Sequence, residues 1–300
     1  MVVAAGCLSV ARSRDLGFLV SEEWRSLLER FAIAFPAPER LWLGTFSRRA
    51  LRPLVSVLEW FTIPGLSLHF VLRKRALEQA VRSALGEGFA QVVVLGGGFD
   101  TLALRLAPVF PSADFFELDH PATQRVKARV FHGDVPKNLR FAPVDFMNQS
   151  WEEVLRSMAD FSRKRDTLFL CEGVLMYLPL QEVEGVFSTV QRSVDARTRF
   201  LFTFMELQPD GHPHFREEAK ISRTWLRFKG EPFLWGLPPQ GLGPFLDERG
   251  FSLAKLWGTD ALKEGMGIGK SVSAAGEWLA LAATQRGSAA RSRRHCPRPW

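Results

Sequence analysis

The sequence has little tyrosine and little cysteine, and its apolar stretches are too interrupted for a membrane helix. Of its 300 residues, one is tyrosine and three are cysteine. Cys7, Cys171 and Cys296 are far apart and form no C-x-x-C pair, so neither a disulfide framework nor a zinc site is indicated. We expect Cys171, which follows an apolar run, to be a small buried residue. The apolar stretch 54–72 contains an acid, a proline and a glycine, which argues against a membrane span.

Signals for metal binding and for export are also lacking. His212 and His214 form an H-x-H pair in PDGHPHF, but the flanking prolines and glycine favour loop residues over metal ligands. The first residues, MVVAAGCLSVA, have no preceding basic segment and too short an apolar stretch for a secretion signal. We expect no metal site, a flexible N-terminus over residues 1–20 and a cytoplasmic protein.

Positive charge is concentrated at the C-terminal end. The formal net charge is +7, and residues 286–300 contain five arginines and no acid. Without those arginines the net charge is +2, so the rest of the chain is only mildly basic. A basic tail can contact nucleic acid or anionic lipid, although a solvated tail needs no partner. We interpret residues 286–300 as a disordered basic tail and expect no nucleic-acid partner.

The stretch from Gln91 to Leu106, QVVVLGGGFDTLALRL, carries the clearest functional signal. An apolar run is followed by three glycines and then by a helix-like pattern. A short apolar run bounded by glycine is typical of a buried strand in a parallel sheet. Glycines at the turn from strand to helix let backbone N–H groups approach a ligand at the positive end of the helix. The stretch therefore predicts a nucleoside-containing ligand at the edge of an open α/β sheet.

An acid follows this turn at a suitable distance. The strand-like run 114–118 precedes Asp119, about twenty residues after the glycines, where a carboxylate can bind ribose hydroxyls. Glu117 lies one strand period earlier and is the competing candidate. The G-x-G of Gly96 and Gly98 lacks the third glycine of a dinucleotide fingerprint, since a threonine stands in its place. A tight turn in any parallel α/β domain, or an NAD(P) site, stays open at this point.

Four motifs follow one another in a recognisable order: LGGGFDTLALRL, FFELDHPATQRVK, FAPVDF and CEGVLMYLP. Together they resemble the leucine carboxyl methyltransferase family of S-adenosylmethionine (SAM)-dependent O-methyltransferases, in particular its bacterial small-molecule branch. The resemblance extends from about Phe70 to Trp278. It implies an α/β fold of the Rossmann-like class I methyltransferase type. Such a fold has a mainly parallel seven-stranded sheet with helices on both faces and an N-terminal helical cover over the pocket.

The resemblance implies several cofactor-binding residues in the first half of the chain. Arg73, in HFVLRKRALEQAV, matches the arginine that binds the SAM carboxylate, a role suited to a planar two-pronged donor. Gly96 and Gly98 match the glycines beneath the methionine portion and the ribose, and Asp119 matches the acid that binds the ribose. Without the resemblance, Arg73 would be interpreted as part of a solvated helix face that it shares with its two basic neighbours.

Further binding residues follow the third and fourth predicted strands. Asp145 and Phe146, in FAPVDF, match the turn beside the adenine ring, where a carboxylate accepts from the exocyclic amine and an apolar side chain covers the ring. The alternative role for Asp145 is the N-cap of the helix that begins near Trp151. Glu172, in CEGVLMYLP, matches the acid near the SAM amino group and the transferred methyl. A carboxylate directly after a fully apolar strand is otherwise costly to place.

Two positions depart from the family pattern. Leu102 stands where the family often has arginine after GFDT, so any polar contact of that arginine is missing. Gly97 replaces the usual alanine, which we expect to be a mild change.

The chain is expected to form one methyltransferase domain over residues 21–285. An amphipathic helix is predicted at 21–34, with two acids in its first turn, and cover helices should continue to residue 87. The stretch of about 206–245, rich in proline, glycine and aromatic residues, is predicted to be an insertion over the active site. The resemblance implies that the last two strands pair in antiparallel fashion at one edge. Strands are predicted at 91–95, 114–118, 140–144, 167–171, 199–205, 251–257 and 278–283.

The predicted function is transfer of a methyl group from SAM to an oxygen, carboxylate or hydroxyl, of a small-molecule acceptor. A carboxylate acceptor needs no general base, whereas a hydroxyl acceptor does. Candidate bases are Glu172, His69 and His120, while Tyr177 is better suited to a pocket wall or a hydrogen-bond donor. None of them lies in a recognisable catalytic constellation. The identity of the acceptor, and the choice between a monomer and a homodimer, are not determined by the sequence.

Two other functions stay open. An NAD(P)-binding Rossmann oxidoreductase would use the same edge of the sheet, although the third glycine and a paired Tyr/Lys or His/Asp catalytic set are missing. A SAM-binding protein without turnover would share the four motifs. The second alternative is supported by Leu102 and by the lack of an assured general base.

Overall fold

Helices and strands alternate along most of the chain. The computed structural model describes residues 2–34, 52–146, 148–219 and 232–285, together with residues 222, 224 and 228. The helices, numbered in chain order, are α1 (Val2–Ala11), α2 (Glu22–Ala34), α3 (Arg52–Phe61), α4 (Leu66–Gly86), α5 (Leu102–Leu106), α6 (Pro121–Val130), α7 (Trp151–Ser157), α8 (Leu180–Ser193), α9 (Leu242–Asp247) and α10 (Thr259–Gly265). The strands are β1 (Gln91–Leu95), β2 (Asp114–Asp119), β3 (Leu139–Pro143), β4 (Thr167–Cys171), β5 (Thr198–Glu206), β6 (Gly236–Leu237), β7 (Phe251–Trp257) and β8 (Glu277–Thr284). Single turns of 3-10 helix lie at Gly17–Leu19, Leu175–Tyr177 and Pro239–Gly241.

All the predicted strands are present, and no bound differs by more than one residue from its prediction. The sheet has the order β3-β2-β1-β4-β5-β8-β7, and the two-residue β6 pairs with β5 as an additional strand. Strands β1 to β5 are parallel, whereas β8 runs antiparallel between β5 and the edge strand β7. The predicted fold class is therefore confirmed.

The apolar runs of the central strands reflect helices on both faces of the sheet. All five residues of β1 are buried, and so are all five of β4. Val92 and Val94 belong to the apolar cluster that includes residues of α1, α2 and α4. Val93 and Leu95 belong to the opposite cluster, which includes residues of α7, α8 and α9. Successive side chains of a strand point to opposite faces, so a strand buried on both faces has no polar alternation.

The first residues form a helix, and the prediction of a flexible N-terminus over residues 1–20 is wrong. Ala5, Cys7 and Leu8 of α1 are each at most 1% exposed. The helix has no charged residue, as is typical of a helix buried on most sides. It approaches α4 closely at Gly6, where a Cβ would lie 3.1 Å from the Cα of Ser67. Burial of this apolar surface outweighs the cost of ordering the terminus.

The segment after β5 lies at the carboxyl edge of the parallel strands. The N–H of Leu234 donates to the carbonyl of Met176, in the turn after β4, at 2.7 Å. The N–H of Ala219 donates to the carbonyl of Thr62, just after α3, at 2.8 Å. These contacts bring the described parts of the predicted insertion to the edge that carries the glycine turn. The basic tail predicted at 286–300 lies outside the described residues, and no helix among those described is long and apolar enough to cross a membrane.

Candidate active site

The glycine turn after β1 is shaped for close approach to a ligand. Gly96 and Gly98 have φ angles of 70° and 52°, in the left-handed region that favours glycine. A Cβ at Gly96 would lie 2.6 Å from Cγ2 of Val174, so no side chain fits there. The turn lies at the carboxyl end of β1, between β2 and β4. Open α/β sheets bind their ligands outside this edge.

Asp119, at the end of β2, contacts the glycine turn directly. Its carboxylate accepts hydrogen bonds from the backbone N–H of Gly98 and, at 2.6 Å, from that of His120. Asp119 is 9% exposed, whereas the competing acid Glu117 is only 1% exposed. The position of Asp119 agrees with a ligand-binding role, and its contact with a ribose stays a prediction.

Glu117 supports the turn from beneath. Its carboxylate pairs with the fully buried ammonium of Lys127, which also lies 3.3 Å from the carbonyl oxygen of Gly98. Burial raises the pKa of Glu117 to about 7, and the Lys127 charge opposes that shift. A Cβ at Gly97 would lie 2.7 Å from Cδ of Glu117. Gly97 is therefore not a mild replacement for alanine in this chain, because the Glu117–Lys127 pair fills the space that a methyl group would need.

Arg73 projects from α4 and is held between two acids. Its Nε donates to Oε1 of Glu172 at 2.7 Å, and its Nη1 donates to Oε1 of Glu277 at 2.7 Å. Its side chain is only 7% exposed, so it does not belong to a solvated helix face. Among the described residues, the hydrogen bonds of Arg73 use Nε and Nη1 and leave Nη2 available. A ligand carboxylate would therefore meet Nη2, while the two acids fix the plane of the guanidinium.

Lys74 and Asp100 belong to the same buried cluster, and the sequence analysis did not identify them as site residues. Lys74 Nζ lies 2.7 Å from Oε2 of Glu172 and 3.1 Å from Oδ1 of Asp100. Burial opposes the ionisation of Asp100, but the Lys74 ammonium holds its pKa below the ordinary value. The available signals were the position of Lys74 beside Arg73 and that of Asp100 after the glycines. Neither signal indicates that the two side chains meet.

Glu277 is a third residue that the sequence analysis missed. It begins β8, is 2% exposed and contacts both Arg73 and His69. Burial opposes its ionisation, yet Arg73 and His69 together lower the pKa of Glu277 to about 2. Glu277 and Arg73 are 204 residues apart in the chain. Only the insertion of β8 beside β5 brings them together.

The cluster lies beside a cavity of about 170 Å³. The walls of this cavity come from α1, α2, α4, the glycine turn and the end of β4. The cluster contains two cations, Arg73 and Lys74, and three carboxylates, those of Asp100, Glu172 and Glu277. It therefore carries one excess negative charge close to the glycine turn. This charge distribution fits a ligand that is itself a cation.

Asp145 and Phe146 follow β3, which pairs in parallel with β2, so they lie at the same edge as Asp119. Phe146 is 40% exposed. The Asp145 carboxylate accepts from Nδ2 of Asn148 at 2.8 Å. Ser150, not Asp145, provides the N-cap of α7. The N-cap alternative for Asp145 is therefore wrong, and its role beside an adenine ring stays a prediction.

The candidate bases have different surroundings. His69 lies one turn before Arg73 on α4, with Nε2 at 2.8 Å from Oε2 of Glu277. Tyr177 is 36% exposed, and its ring centroid lies 5.5 Å from that of Phe233. His120 caps α6, where its Nδ1 accepts from a backbone N–H at 3.2 Å. The candidates close to the Arg73 cluster are thus His69 and Glu172.

One histidine of the H-x-H pair is engaged by the protein's own groups. His214, from the H-x-H pair, has Nδ1 at 2.7 Å from the carbonyl oxygen of Phe215 and Nε2 at 3.0 Å from Oδ2 of Asp210. In the described ranges, no three His, Cys, Asp or Glu side chains gather as a metal-binding group. Cys171 is 1% exposed, as predicted, and burial raises the pKa of its thiol to about 12.

Comparison with known proteins agrees with this geometry. A profile of the leucine carboxyl methyltransferase family matches residues 24–191, more than half of the chain. The chain belongs to the leucine carboxyl methyltransferase family. Two relatives of this family member are each named "putative S-adenosyl-L-methionine-dependent methyltransferase". One, from Frankia alni, is 30% identical over 203 residues, which cover 64% of both chains. The other, from Bacillus subtilis, is 28% identical over 154 residues, which cover 50% of both chains.

Among solved structures, the magnesium protoporphyrin IX methyltransferase of Synechocystis PCC 6803, with bound S-adenosylhomocysteine, matches with a TM-score of 0.47. It is 14% identical and covers 78% of this chain and 94% of that one. The family match confirms the predicted family and, with it, SAM as the cofactor of this family member.

Proposed function

We propose that the protein transfers the methyl group of SAM to an oxygen atom of a small-molecule acceptor. The observation that carries this proposal is the buried cluster around Arg73, with its excess negative charge beside the glycine turn. SAM carries a sulfonium, an ammonium and a carboxylate, and is therefore a net cation. The family's description names a carboxyl group as the methyl acceptor, which supports an oxygen.

The same cluster argues against a dinucleotide. A pyrophosphate carries two negative charges and is usually bound by a glycine-rich turn at a helix N-terminus. Here the turn is flanked by Asp119 and Asp100, and Glu172 follows the neighbouring strand. Bringing a pyrophosphate against these carboxylates would be repulsive at short range.

We assign the cofactor contacts to chain residues as follows. Gly96 and Gly98 give the methionine portion and the ribose access to the backbone, and Asp119 accepts hydrogen bonds from the ribose hydroxyls. Nη2 of Arg73 binds the carboxylate, and Glu172 lies near the amino group. Each Glu172 oxygen already accepts from one cation, at 2.7 Å from Arg73 and 2.7 Å from Lys74, and retains a second lone pair. The remaining assignments are Asp145 and Phe146 at the adenine ring.

A row of rings extends away from the cofactor cluster and suits an apolar acceptor. The His69 ring lies 5.5 Å from that of Phe215, Phe215 lies 6.2 Å from Phe233, and Phe233 lies 5.5 Å from Tyr177. His69 is buried, whereas Tyr177 is 36% exposed, so the row runs from the interior to the surface. Aromatic rings provide a large apolar contact area. We infer an acceptor with a flat or otherwise apolar body.

The chain contributes mainly position and exclusion of water. When bound, SAM supplies an activated methyl group on sulfur. Residues of α1 and α2 wall the cavity, and Trp24 and Leu28 of α2 are at most 4% exposed. A shielded pocket that aligns the acceptor oxygen with the methyl group provides most of the rate enhancement that such a transfer requires.

Calorimetric titration with SAM, S-adenosylhomocysteine and NAD, followed by incubation with SAM and pools of carboxylic and hydroxylic metabolites, tests the proposal. We expect SAM and S-adenosylhomocysteine to bind, and mass spectrometry to detect an O-methylated product. Asp119→Ala serves as the cofactor-site control. Binding of SAM without any methylated product would support a protein without turnover, and binding of NAD alone would support an oxidoreductase.

A further inference from the structure

His69 is a buried histidine with one ring nitrogen satisfied and the other free. It is 1% exposed, and its Nε2 lies 2.8 Å from Oε2 of Glu277. Its Nδ1 is buried and has no hydrogen-bond partner among the described residues. Buried polar groups nearly always have a partner, and each exception needs an explanation.

His214 provides a comparison within the same molecule. It is 8% exposed, and both of its ring nitrogens are engaged, by the carbonyl of Phe215 and by Asp210. Burial alone therefore does not leave a histidine nitrogen without a partner in this fold. The free Nδ1 of His69 lies on a ring placed between the Arg73 cluster and the ring row.

The partner of Nε2 determines the chemical character of the free nitrogen. Arg73 donates to both oxygens of Glu277 and keeps that carboxylate ionised, so it accepts hydrogen bonds and cannot donate one. Nε2 of His69 is therefore the donor toward Glu277, and whenever the ring carries a single proton its Nδ1 presents a lone pair. A hydroxyl group satisfies that lone pair by donating, whereas a carboxylate would be repelled by it.

The position of His69 agrees with contact to an acceptor. His69 lies one helical turn from Arg73 on α4, and both side chains contact Glu277. The Phe215 ring lies edge-on to the imidazole, at the inner end of the row that continues to Tyr177. The charged group in contact with the imidazole is the Glu277 carboxylate, and that carboxylate in turn accepts from Arg73. His69 thus lies where the proposed cofactor and acceptor regions meet.

We propose that His69, oriented by Glu277, is the general base of the reaction and that the acceptor group is a hydroxyl on an apolar or aromatic molecule. This inference rests on the proposed function and narrows its acceptor to a hydroxyl, which differs from the carboxyl group that the family's description names. The acceptor O–H bond breaks and its proton moves to Nδ1. The oxygen forms a bond to the methyl carbon, and the S–CH₃ electron pair stays on sulfur, giving S-adenosylhomocysteine. The imidazolium that forms is stabilised by the Glu277 carboxylate.

The first test compares two acceptor series that share their ring systems, phenols such as 2-naphthol and acids such as 2-naphthoate, in the wild type and two variants. We expect methyl ethers and no esters. His69→Gln, which keeps a donor toward Glu277, should lower kcat about 10²- to 10⁴-fold, the usual contribution of a general base. Its dissociation constant for SAM should stay within about threefold, because a base acts on the acceptor. His214→Gln is the matched buried-histidine control and should keep near wild-type turnover.

The outcomes separate this inference from the function on which it rests. If wild type and His69→Gln form esters equally well, His69 is not a general base, whereas the proposed O-methyl transfer is supported. SAM binding with neither ethers nor esters, from these two series and from the metabolite pools alike, would overturn both the base and the proposed function. In the wild type, nitrogen-15 NMR of the S-adenosylhomocysteine complex should show a proton on Nε2 and none on Nδ1 of His69, and 2-naphthol should shift the Nδ1 resonance. A proton on Nδ1 would overturn the base independently of any turnover.

Discussion

Lys74 Nζ lies 2.7 Å from Oε2 of Glu172, and both side chains are less than one-tenth exposed. The pair joins α4 to the end of β4 across 98 residues of sequence. The Glu172 carboxylate that binds Lys74 also accepts a hydrogen bond from Arg73. The two neighbouring cations therefore share one acid, and each contacts a second one, Glu277 for Arg73 and Asp100 for Lys74. The next basic residue, Arg75, is not equivalent to them, since its side chain is 33% exposed.

An alanine series over these three cations tests the cluster. Arg73→Ala and Lys74→Ala should each reduce the free energy of unfolding by about 3–5 kcal/mol, since each removes a buried cation that two carboxylates share. Both should weaken S-adenosylhomocysteine binding, and Arg73→Lys should weaken it less than Arg73→Ala. Arg75→Ala is the control and should change either quantity little. Urea denaturation and calorimetric titration provide the two measurements, and equal small losses in all three variants would contradict the buried cluster.

Ligand-induced stabilisation distinguishes the cofactor from a dinucleotide. At one hundred times its dissociation constant, S-adenosylhomocysteine should add about 2.7 kcal/mol to the free energy of unfolding. NAD should add nothing, because the carboxylates around the glycine turn oppose its pyrophosphate. Thermal unfolding scans with each ligand measure this difference, and a shift with NAD alone would reverse the assignment.

Asp119 and Glu117 should respond differently to removal. Asp119→Ala should weaken SAM binding by about 1.5–3 kcal/mol, the range for hydrogen bonds to charged groups, in a protein that stays folded. Glu117→Ala should mainly reduce stability, since it leaves the fully buried Lys127 ammonium unpaired. Titration of SAM into both variants, after their unfolding curves are recorded, checks this division. A larger affinity loss for Glu117→Ala at equal stability would show that the ribose-binding acid is misassigned.

A single methyl group at Gly97 should disturb the glycine turn. Gly97→Ala would place a Cβ 2.7 Å from Cδ of Glu117, whose carboxylate is held by Lys127 and cannot move away freely. Such overpacking costs about 1–3 kcal/mol, and we expect weaker S-adenosylhomocysteine binding as well. Gly243→Ala, in α9 with no atom within 4 Å of the new Cβ, is the matched control. Unchanged stability and affinity for Gly97→Ala would contradict the close contact.

The stability of the protein should depend on pH through Glu117. Burial raises the pKa of Glu117 from 4.5 to about 7, so the folded chain retains this proton at pH values where the unfolded chain has lost it. Its contribution to stability is complete below pH 4.5 and is lost as the pH rises through about 7. Glu117→Gln should remove this dependence of the unfolding free energy on pH. The exposed control Glu264→Gln should keep the wild-type dependence. Urea denaturation between these pH limits measures the unfolding free energy. If it changes with pH equally in wild type and Glu117→Gln, the role of Glu117 is refuted.

The sheet could be predicted from the sequence because its signal is local. The apolar run of β1 is bounded by the glycine turn, and β4 is bounded by Glu172 and Gly173, so their bounds follow from burial on both faces. The helix α1 was missed because its small apolar residues lack the charge pattern and capping that mark a helix start. Its stability comes from packing against α4, which a sequence pattern does not contain.

The candidate site could be predicted only in part for a related reason. The motif residues Arg73, Asp119 and Glu172 do lie around one edge of the sheet. Their neighbours Lys74 and Glu277 were missed, because the contacts between charges cross 98 and 204 residues of chain. A sequence shows which side chains are ionisable, but the order of strands decides which of them meet.

The position of Glu277 has a consequence for how the protein is made. α1, near the start of the chain, walls the cavity, and β8 provides the carboxylate that holds both Arg73 and His69. A nascent chain that has not yet added β8 already contains every motif of the glycine turn, but its Arg73 has only one of the two acids that hold it, and His69 lacks its carboxylate partner. Cofactor binding would thus favour the fully synthesised chain over its truncated forms, which would gain no protection from SAM against unfolding and proteolysis.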